Sequence, residues 1–280
     1  MHIESLHIYP VKSMRGIPVG RTIITPSGLL GDRRFMVVDP DGQFITQREC
    51  ASLALIDALP QAGYLLLRKG DEELMVAIPS GPRMKVAVWR SIVDAAVASD
   101  SVNDTLSRWI GREAKLVFAD AATERTASSD WAGDGVPMGF ADGYPILVTT
   151  TGSLAALNRY LSEQGQQTVG MDRFRPNVVI DCDEAWVEDS WAAIEIGGVR
   201  LDLVKPCERC VITTQDQMTG EKGKGDPLPA VRHLHFSIDR RVPGPIFGWN
   251  AVPRGQVEIR IGDSVTMVGR RPEPWPFKAR

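Results

Sequence analysis

Two of the chain's four cysteines stand two residues apart in the stretch KPCERCVITTQDQMTG, Lys205 to Gly220. Cys207 and Cys210 admit several chemistries. A redox dithiol wants the pair at a helix N-terminus, where the dipole lowers a thiol pKa; the β-branched VITTQDQ predicts a strand there instead. A structural zinc site wants four ligands in two clustered pairs, whereas Cys50 and Cys182 stand alone and His233 and His235 form an HxH. Two ordinary buried cysteines are the plain alternative. In a further reading one sulfur binds a soft metal carried by a cofactor, and the chain must then supply a pocket for the rest of that cofactor.

Parts suited to such a pocket are scattered along the chain. YPVKSMRGIPV puts Lys12 and Ser13 directly after a first strand. GLLGDRRF carries Asp32, Arg33 and Arg34, and DRFRPNVVI carries Arg173, Arg175 and Asn177. Pro176 biases Arg175 toward extended backbone. A helix starting near Thr151 offers free N–H groups to an anion. Lys, Arg, Ser and a helix N-terminus together suit a phosphate, although each alone is more often a solvated surface group. Asp216, six residues after Cys210, is either a proton donor or a turn former before Thr219-Gly220. His233 and His235 alternate along an expected extended segment, with a structural role the commoner outcome.

The elements that must position these groups are mostly short strands. With 26 Gly and 19 Pro among 280 residues, turn signals are frequent. RRFMVVDPDGQFITQR predicts a hairpin, with strands near Arg34–Val38 and Phe44–Arg48 around Asp39-Pro40-Asp41-Gly42. AAIEIGGVRLDLVKPC predicts another, turning at Gly197-Gly198 and running into the cysteine pair. RGQVEIRIGDSVTMVG alternates Val257, Ile259 and Ile261, turns at Gly262-Asp263 and continues through Val265 and Met267. Two helices are expected, one capped by Ser101 and stopped by Gly111, one capped by Thr151 or Ser153 and ended at Gly165. Residues 119–143 are the least regular, either a linker or a loop closing over a site. Pattern alone therefore gives a mainly β, α+β protein.

Composition bounds the function. The net charge of −3 and the 43% hydrophobic content describe an ordinary globular chain with no overall bias toward nucleic acid or membrane. No apolar run approaches the ~18 residues of a membrane span. The N-terminal stretch lacks the pattern of a signal peptide, and so few cysteines make no disulfide scaffold. A cytoplasmic location is expected.

YPVKS, GDRRF, FRPN and CERCVITTQDQMTG, in this order, resemble the MOSC superfamily, and within it the amidoxime-reducing components and their bacterial relatives. The resemblance runs from IYPVKS to IGDSVTMVG. It implies an N-terminal MOSC-type β-barrel-like domain over residues 1–120 and a MOSC β-barrel domain with a few short helices over 121–270. It implies a molybdenum cofactor, a pterin dithiolene carrying molybdenum and a terminal phosphate, with Cys210 as metal ligand and Cys207 a neighbour of undefined role. Lys12, Ser13, Arg33, Arg175, Asn177 and the helix start at Thr151 are implied to hold the pterin and its phosphate. The implied activity is reduction of N–O bonds in small N-hydroxylated molecules, with Asp216 as candidate acid and electrons from a separate donor protein. A non-catalytic cofactor or sulfur carrier is the alternative. Glu208 stands where the group often has a smaller polar residue. On this reading Arg175→Ala weakens pterin retention and leaves the fold intact.

Overall fold

The computed structural model describes residues 1–222 and 225–279. Its largest sheet runs, in spatial order, through Val265–Arg270, Trp191–Ile196, Val199–Glu208, Gly244–Pro253, Ile146–Thr150, Val178–Asp181, His2–Ile8 and Ile17–Val19, with Phe236–Ser237 paired on the Gly244–Pro253 strand. All neighbours are antiparallel except Ile146–Thr150 with Val178–Asp181, which the helix Thr151–Glu163 connects. That parallel pair needs a crossover, and the helix provides it. Val265 N donates to Met1 O at 3.0 Å and Ile3 N to Asp263 O at 2.9 Å, so the first strand meets the beginning of the last and the sheet curls closed. Its interior is apolar: Ile3, Leu6, Val148, Ile180, Ile194, Leu201 and Trp249 are fully buried in one cluster, as alternating residues of a closed sheet must be.

Residues 35–118 build smaller sheets. Phe35–Val38, Lys115–Phe118, Ser91–Val97 and Arg83–Val88 form one, and Asp57–Gln61, Tyr64–Lys69 and Glu72–Ala77 a second. The helix Asp100–Ile110 packs beside them, with Leu106 and Trp109 buried and Gly111 closing it in the left-handed region. His2–Ile8 and Ile17–Val19 belong to the large sheet, while Arg21–Thr25 and Gly28–Leu29 form a separate three-stranded sheet with Val257–Arg260, whose Ile24, Leu29 and Ile259 pack into the large sheet's core.

Several expectations change. The turn at residues 39–42 forms, but its second arm shrinks to a single bridge between Val38 and Phe44, and Phe35–Val38 finds its strand partner in Lys115–Phe118 on its other edge. Val257–Arg260 and Val265–Arg270 are not a hairpin: they join different sheets across a corner at Gly262. The stretch after Cys210 is a 3-10 turn, Val211–Thr214, not a strand. His233 lies in the helix Pro227–Leu234 and His235 caps its end. The helix caps are Ser99 and Thr150, each upstream of the residues expected.

Candidate active site

Backbone hydrogen bonds zip the scattered motifs together. Arg33 N donates to Tyr9 O (2.8 Å), Phe35 N to Pro10 O (2.9 Å) and Lys12 N to Phe35 O (2.8 Å). Phe140 N donates to Arg33 O at 2.7 Å, which draws residues 140–144 over the same place. The cysteine strand arrives from the opposite side. From Leu203 onward its only strand neighbour among the described residues is Gly244–Pro253, so Pro206, which has no N–H to donate, is tolerated. Register shifts between Leu203 and Lys205 and between Pro206 and Glu208 act as bulges that re-aim the side chains following them.

The result is a cavity of about 710 Å³, a size that suits a small molecule or cofactor. Lys12, Ser13, Arg33, Arg175, Asn177, Cys207 and Cys210 all line it. So do Arg48, Arg90, Lys205 and Arg209, giving, among the described residues, seven cations against the two carboxylates Asp142 and Glu208. A chain of net charge −3 thus builds a strongly positive cavity.

Each cation has a defined setting. Arg33 Nη1 donates to Asp32 Oδ2 (2.6 Å) and Asn177 Oδ1 (3.0 Å). Arg175 donates to Gln217 Oε1 (2.9 Å) and Met14 O (2.8 Å). Their guanidinium carbons lie 4.1 and 4.3 Å from the ring centre of Tyr9, whose hydroxyl donates to Pro176 O. Burial pushes Tyr9 up to about 12 and Arg175 down to about 10. Burial also opposes charge on Arg33, but Asp32 more than offsets it and its pKa stands above the usual value. Lys12 is 5% exposed, paired with Asp142 and donating to Phe140 O at 3.1 Å. Burial lowers the Lys12 pKa despite that partner. Asp142 is enclosed by cavity walls yet open to the cavity's water; burial disfavours its charge, and Lys12, Trp89 and Arg33 reverse this and hold it well below the usual carboxylate range.

Both sulfurs are met by guanidinium groups. Arg209 Nη1 lies 2.8 Å from Cys207 Sγ and Arg48 Nη2 3.5 Å from Cys210 Sγ. Two polar atoms of cavity-lining residues, Gln47 Oε1 and Arg209 Nε, are buried without a hydrogen-bond partner among the described residues. Ser13, Arg33, Trp89 and Arg175 are four of the five non-glycine residues at positive φ among the described residues. Backbone strain of this kind gathers at functional sites. Arg175, expected to be extended before Pro176, takes φ 54° and ψ 46° as the cap of the 3-10 helix Met171–Phe174. Its two side-chain anchors and the Tyr9 ring offset the strain.

Residues 1–113 match the family model for the MOSC N-terminal beta barrel domain, and residues 136–266 match that for the MOSC domain. The chain belongs to the MOSC family. Rat mitochondrial amidoxime reducing component 2 is 30% identical over 94% of this MOSC chain and 82% of its own length. Human mitochondrial amidoxime-reducing component 1 is 28% identical over 96% and 83%. Human molybdenum cofactor sulfurase is 28% identical over 79% of the chain, which spans 27% of that longer protein.

Two residues expected at the site lie elsewhere. Thr151 is not among the cavity-lining residues: its hydroxyl contacts Asp181 Oδ1 and Cys182 O, both at 3.2 Å. That helix N-terminus is already occupied by the buried Glu188 carboxyl group, whose oxygens accept from Thr150 (2.9 Å) and Ser153 (2.8 Å). Asp216 also lies outside the lining. It accepts from Met218 N (2.8 Å) and Thr219 N (3.1 Å), bonds that lower its pKa and have the geometry of a turn former, and it lies 3.5 Å from Arg173 Nη2. Neither His233 nor His235 lines the cavity; His233 stacks on Tyr160, and His235 is buried on Asp189 Oδ2 at 2.7 Å.

The sequence reading missed Tyr9, Arg48, Trp89, Arg90, Asp142, Lys205 and Arg209. One signal was available. Val88 pairs with Ser91, so Trp89-Arg90 is a two-residue hairpin turn. Such turns favour Asn-Gly, and a tryptophan at φ 56° on the cavity wall is an exception to that preference.

Proposed function

We propose that this MOSC protein binds a molybdenum cofactor in the cavity and reduces N–O bonds of small N-hydroxylated molecules, with electrons from a separate donor protein. One observation carries the reading: Cys210, Lys12, Ser13, Arg33, Arg175 and Asn177, from four distant motifs, line a single cationic cavity. The residues fit the group. An accessible thiol suits a soft metal, cations in excess suit a terminal phosphate, and the unpartnered Gln47 Oε1 and Arg209 Nε suit a polar heterocycle such as a pterin. The names of the rat and human relatives support the same reading.

When bound, the cofactor supplies two-electron reduction coupled to acceptance of one oxygen atom. Cys210 provides the protein's sulfur ligand and needs no general base, because a thiol that coordinates a metal is deprotonated outright. Lys12, Arg33 and Arg175 offset phosphate charge; Asn177, whose amide bridges Arg33, Leu147 N and His7 O, fixes the Arg33 fork. Arg48 and Arg209 place positive charge beside the two sulfurs. A two-domain division within residues 119–143 belongs to the same proposal.

The similarity to molybdenum cofactor sulfurase favours a second reading, a carrier that holds the cofactor or its sulfur without turnover. Assay separates the two. Protein made in a cofactor-competent host, supplied with a chemical electron donor, is expected to reduce an N-hydroxylated amidine, and Cys210→Ala is expected to abolish this. Full activity in Cys210→Ala rejects the assignment; bound cofactor without turnover in the wild type selects the carrier.

A further inference from the structure

A second cavity, of about 680 Å³, adjoins the first. Trp89, Arg90, Asp142, Gly143, Tyr144 and Lys205 line both, so the two share a rim. Beyond the rim the second cavity is bounded partly by Phe44, Ala127 and Met138, a more apolar surface than the first.

Two features of the rim point to a ligand. Trp89 is 47% exposed yet fixed: its Nε1 donates to Asp142 Oδ1 at 3.0 Å, Phe44 packs against it with ring centres 5.2 Å apart, and the Arg48 guanidinium lies 5.0 Å from its ring centre. An exposed indole held in one orientation is a stacking platform, and ordering it again on binding costs little. The second feature is charge. Five of the seven cavity cations are already engaged: Lys12 by Asp142, Arg33 by Asp32, Arg48 by Cys210, Arg175 by Gln217 and Arg209 by Cys207. Arg90 has no hydrogen bond or ion pair among the described residues, and Lys205 only faces the rings of Trp131 and Tyr144 at 5.8 and 6.0 Å. The two uncommitted cations are the two on the shared rim.

We infer that the second cavity is the substrate vestibule and selects planar aromatic molecules bearing a carboxylate, which lay the ring on Trp89 and present the carboxylate to Arg90 and Lys205. The inference rests on the proposed reductase reading, since it places the N–O group of that substrate toward the first cavity. A guanidinium matches a carboxylate in a forked pair, and the rim already accommodates one carboxylate, Asp142, on Trp89.

The test is calorimetric titration of the cofactor-loaded protein with benzamidoxime and with 4-carboxybenzamidoxime at low salt. The carboxylate probe is expected to bind about tenfold tighter, equivalent to about 1.4 kcal/mol. In Arg90→Ala/Lys205→Ala the two affinities are expected to converge to within about twofold, with molybdenum per chain as in the wild type. Equal affinities in the wild type overturn the inference, and that comparison needs no variant. A preference that survives in the double variant overturns it too, as does loss of molybdenum there, which would make these cations cofactor ligands. Turnover judges the underlying reading separately. Reduction of both probes without a carboxylate preference in binding sinks only the vestibule; a binding preference without reduction sinks the reductase, and with it the role as a substrate vestibule, and leaves only an aromatic-carboxylate binding site.

Discussion

Arg48 donates to the sulfur of Cys210 at 3.5 Å, across 162 residues of chain. The contact ties a loop beside the smaller sheets to the loop that follows the cysteine strand, so the cavity has walls from both parts of the fold. Arg15 does the same nearby, with Nη1 on Asp57 Oδ1 at 3.0 Å and Nε on Gln217 O at 3.3 Å. The cavity is therefore also a joint, and substitutions in it are expected to affect stability as well as binding.

Arg175 illustrates this. Removing its guanidinium strips Met14 O and Gln217 Oε1 of a donor and Tyr9 of a stacking partner. Arg175→Ala is expected to destabilise the protein by about 1–3 kcal/mol, read by urea unfolding, and to lower cofactor retention. This revises the expectation that the fold is indifferent to the change. Lysine is not expected to restore it, because one ammonium cannot reproduce the planar fork. A stability loss below about 0.5 kcal/mol would contradict the account.

Gly16 lies against the other end of the Tyr9 clamp. A Cβ there would sit 2.3 Å from Tyr9 Cε1 and 2.7 Å from Cδ1, so an added methyl must displace the ring that both arginines face. Gly16→Ala is expected to cost about 1–3 kcal/mol and to reduce cofactor content although residue 16 is not one of the cavity-lining residues. Wild-type melting and cofactor content in this variant would show that the clamp does not matter.

Lys12 and Asp142 are coupled. Asp142→Asn removes the counter-charge of an almost fully buried ammonium and leaves it only neutral acceptors, Phe140 O among them. A loss of about 1–2 kcal/mol is expected, below the range for fully buried pairs because Asp142 is open to water. In a double-mutant cycle with Lys12→Met, the coupling is expected to reach at least about 1 kcal/mol. Additive effects would contradict the pairing.

Glu188 predicts a pH dependence away from the cavity. Burial, reinforced by the neighbouring Asp189 charge, pushes its carboxyl up to about 7. The folded state then binds a proton that the unfolded state releases above about 4.5. Stability is accordingly expected to fall as pH rises from about 4.5 through 7, by on the order of 3 kcal/mol from this group. Urea unfolding at pH 5.5 and 8 checks it: Glu188→Gln should remove most of the difference, and an unchanged pH slope in that variant would refute the assignment.

How much was legible in the sequence differs by element. The hairpin Trp191–Ile196 with Val199–Glu208 was readable because strict alternation flanks a Gly-Gly turn. Alternation does not name a partner, however, so Val257–Arg260 and Val265–Arg270 looked like one hairpin while each pairs with a different strand. The motif residues Lys12, Arg33, Arg175 and Cys210 were readable by type and order. Their convergence was not, because it depends on long-range bonds such as Phe140 N to Arg33 O. Thr151 was misplaced because a helix N-terminus looks open in sequence, whereas Glu188, 38 residues beyond Thr150, occupies this one.

The central claim is that the cationic cavity around Cys210 holds a pterin-bound molybdenum. Metal analysis of the wild-type protein purified from a cofactor-competent host tests it most directly. The account predicts about one molybdenum per chain, bound with a phosphate-bearing pterin; protein from that host carrying no molybdenum above background would contradict it.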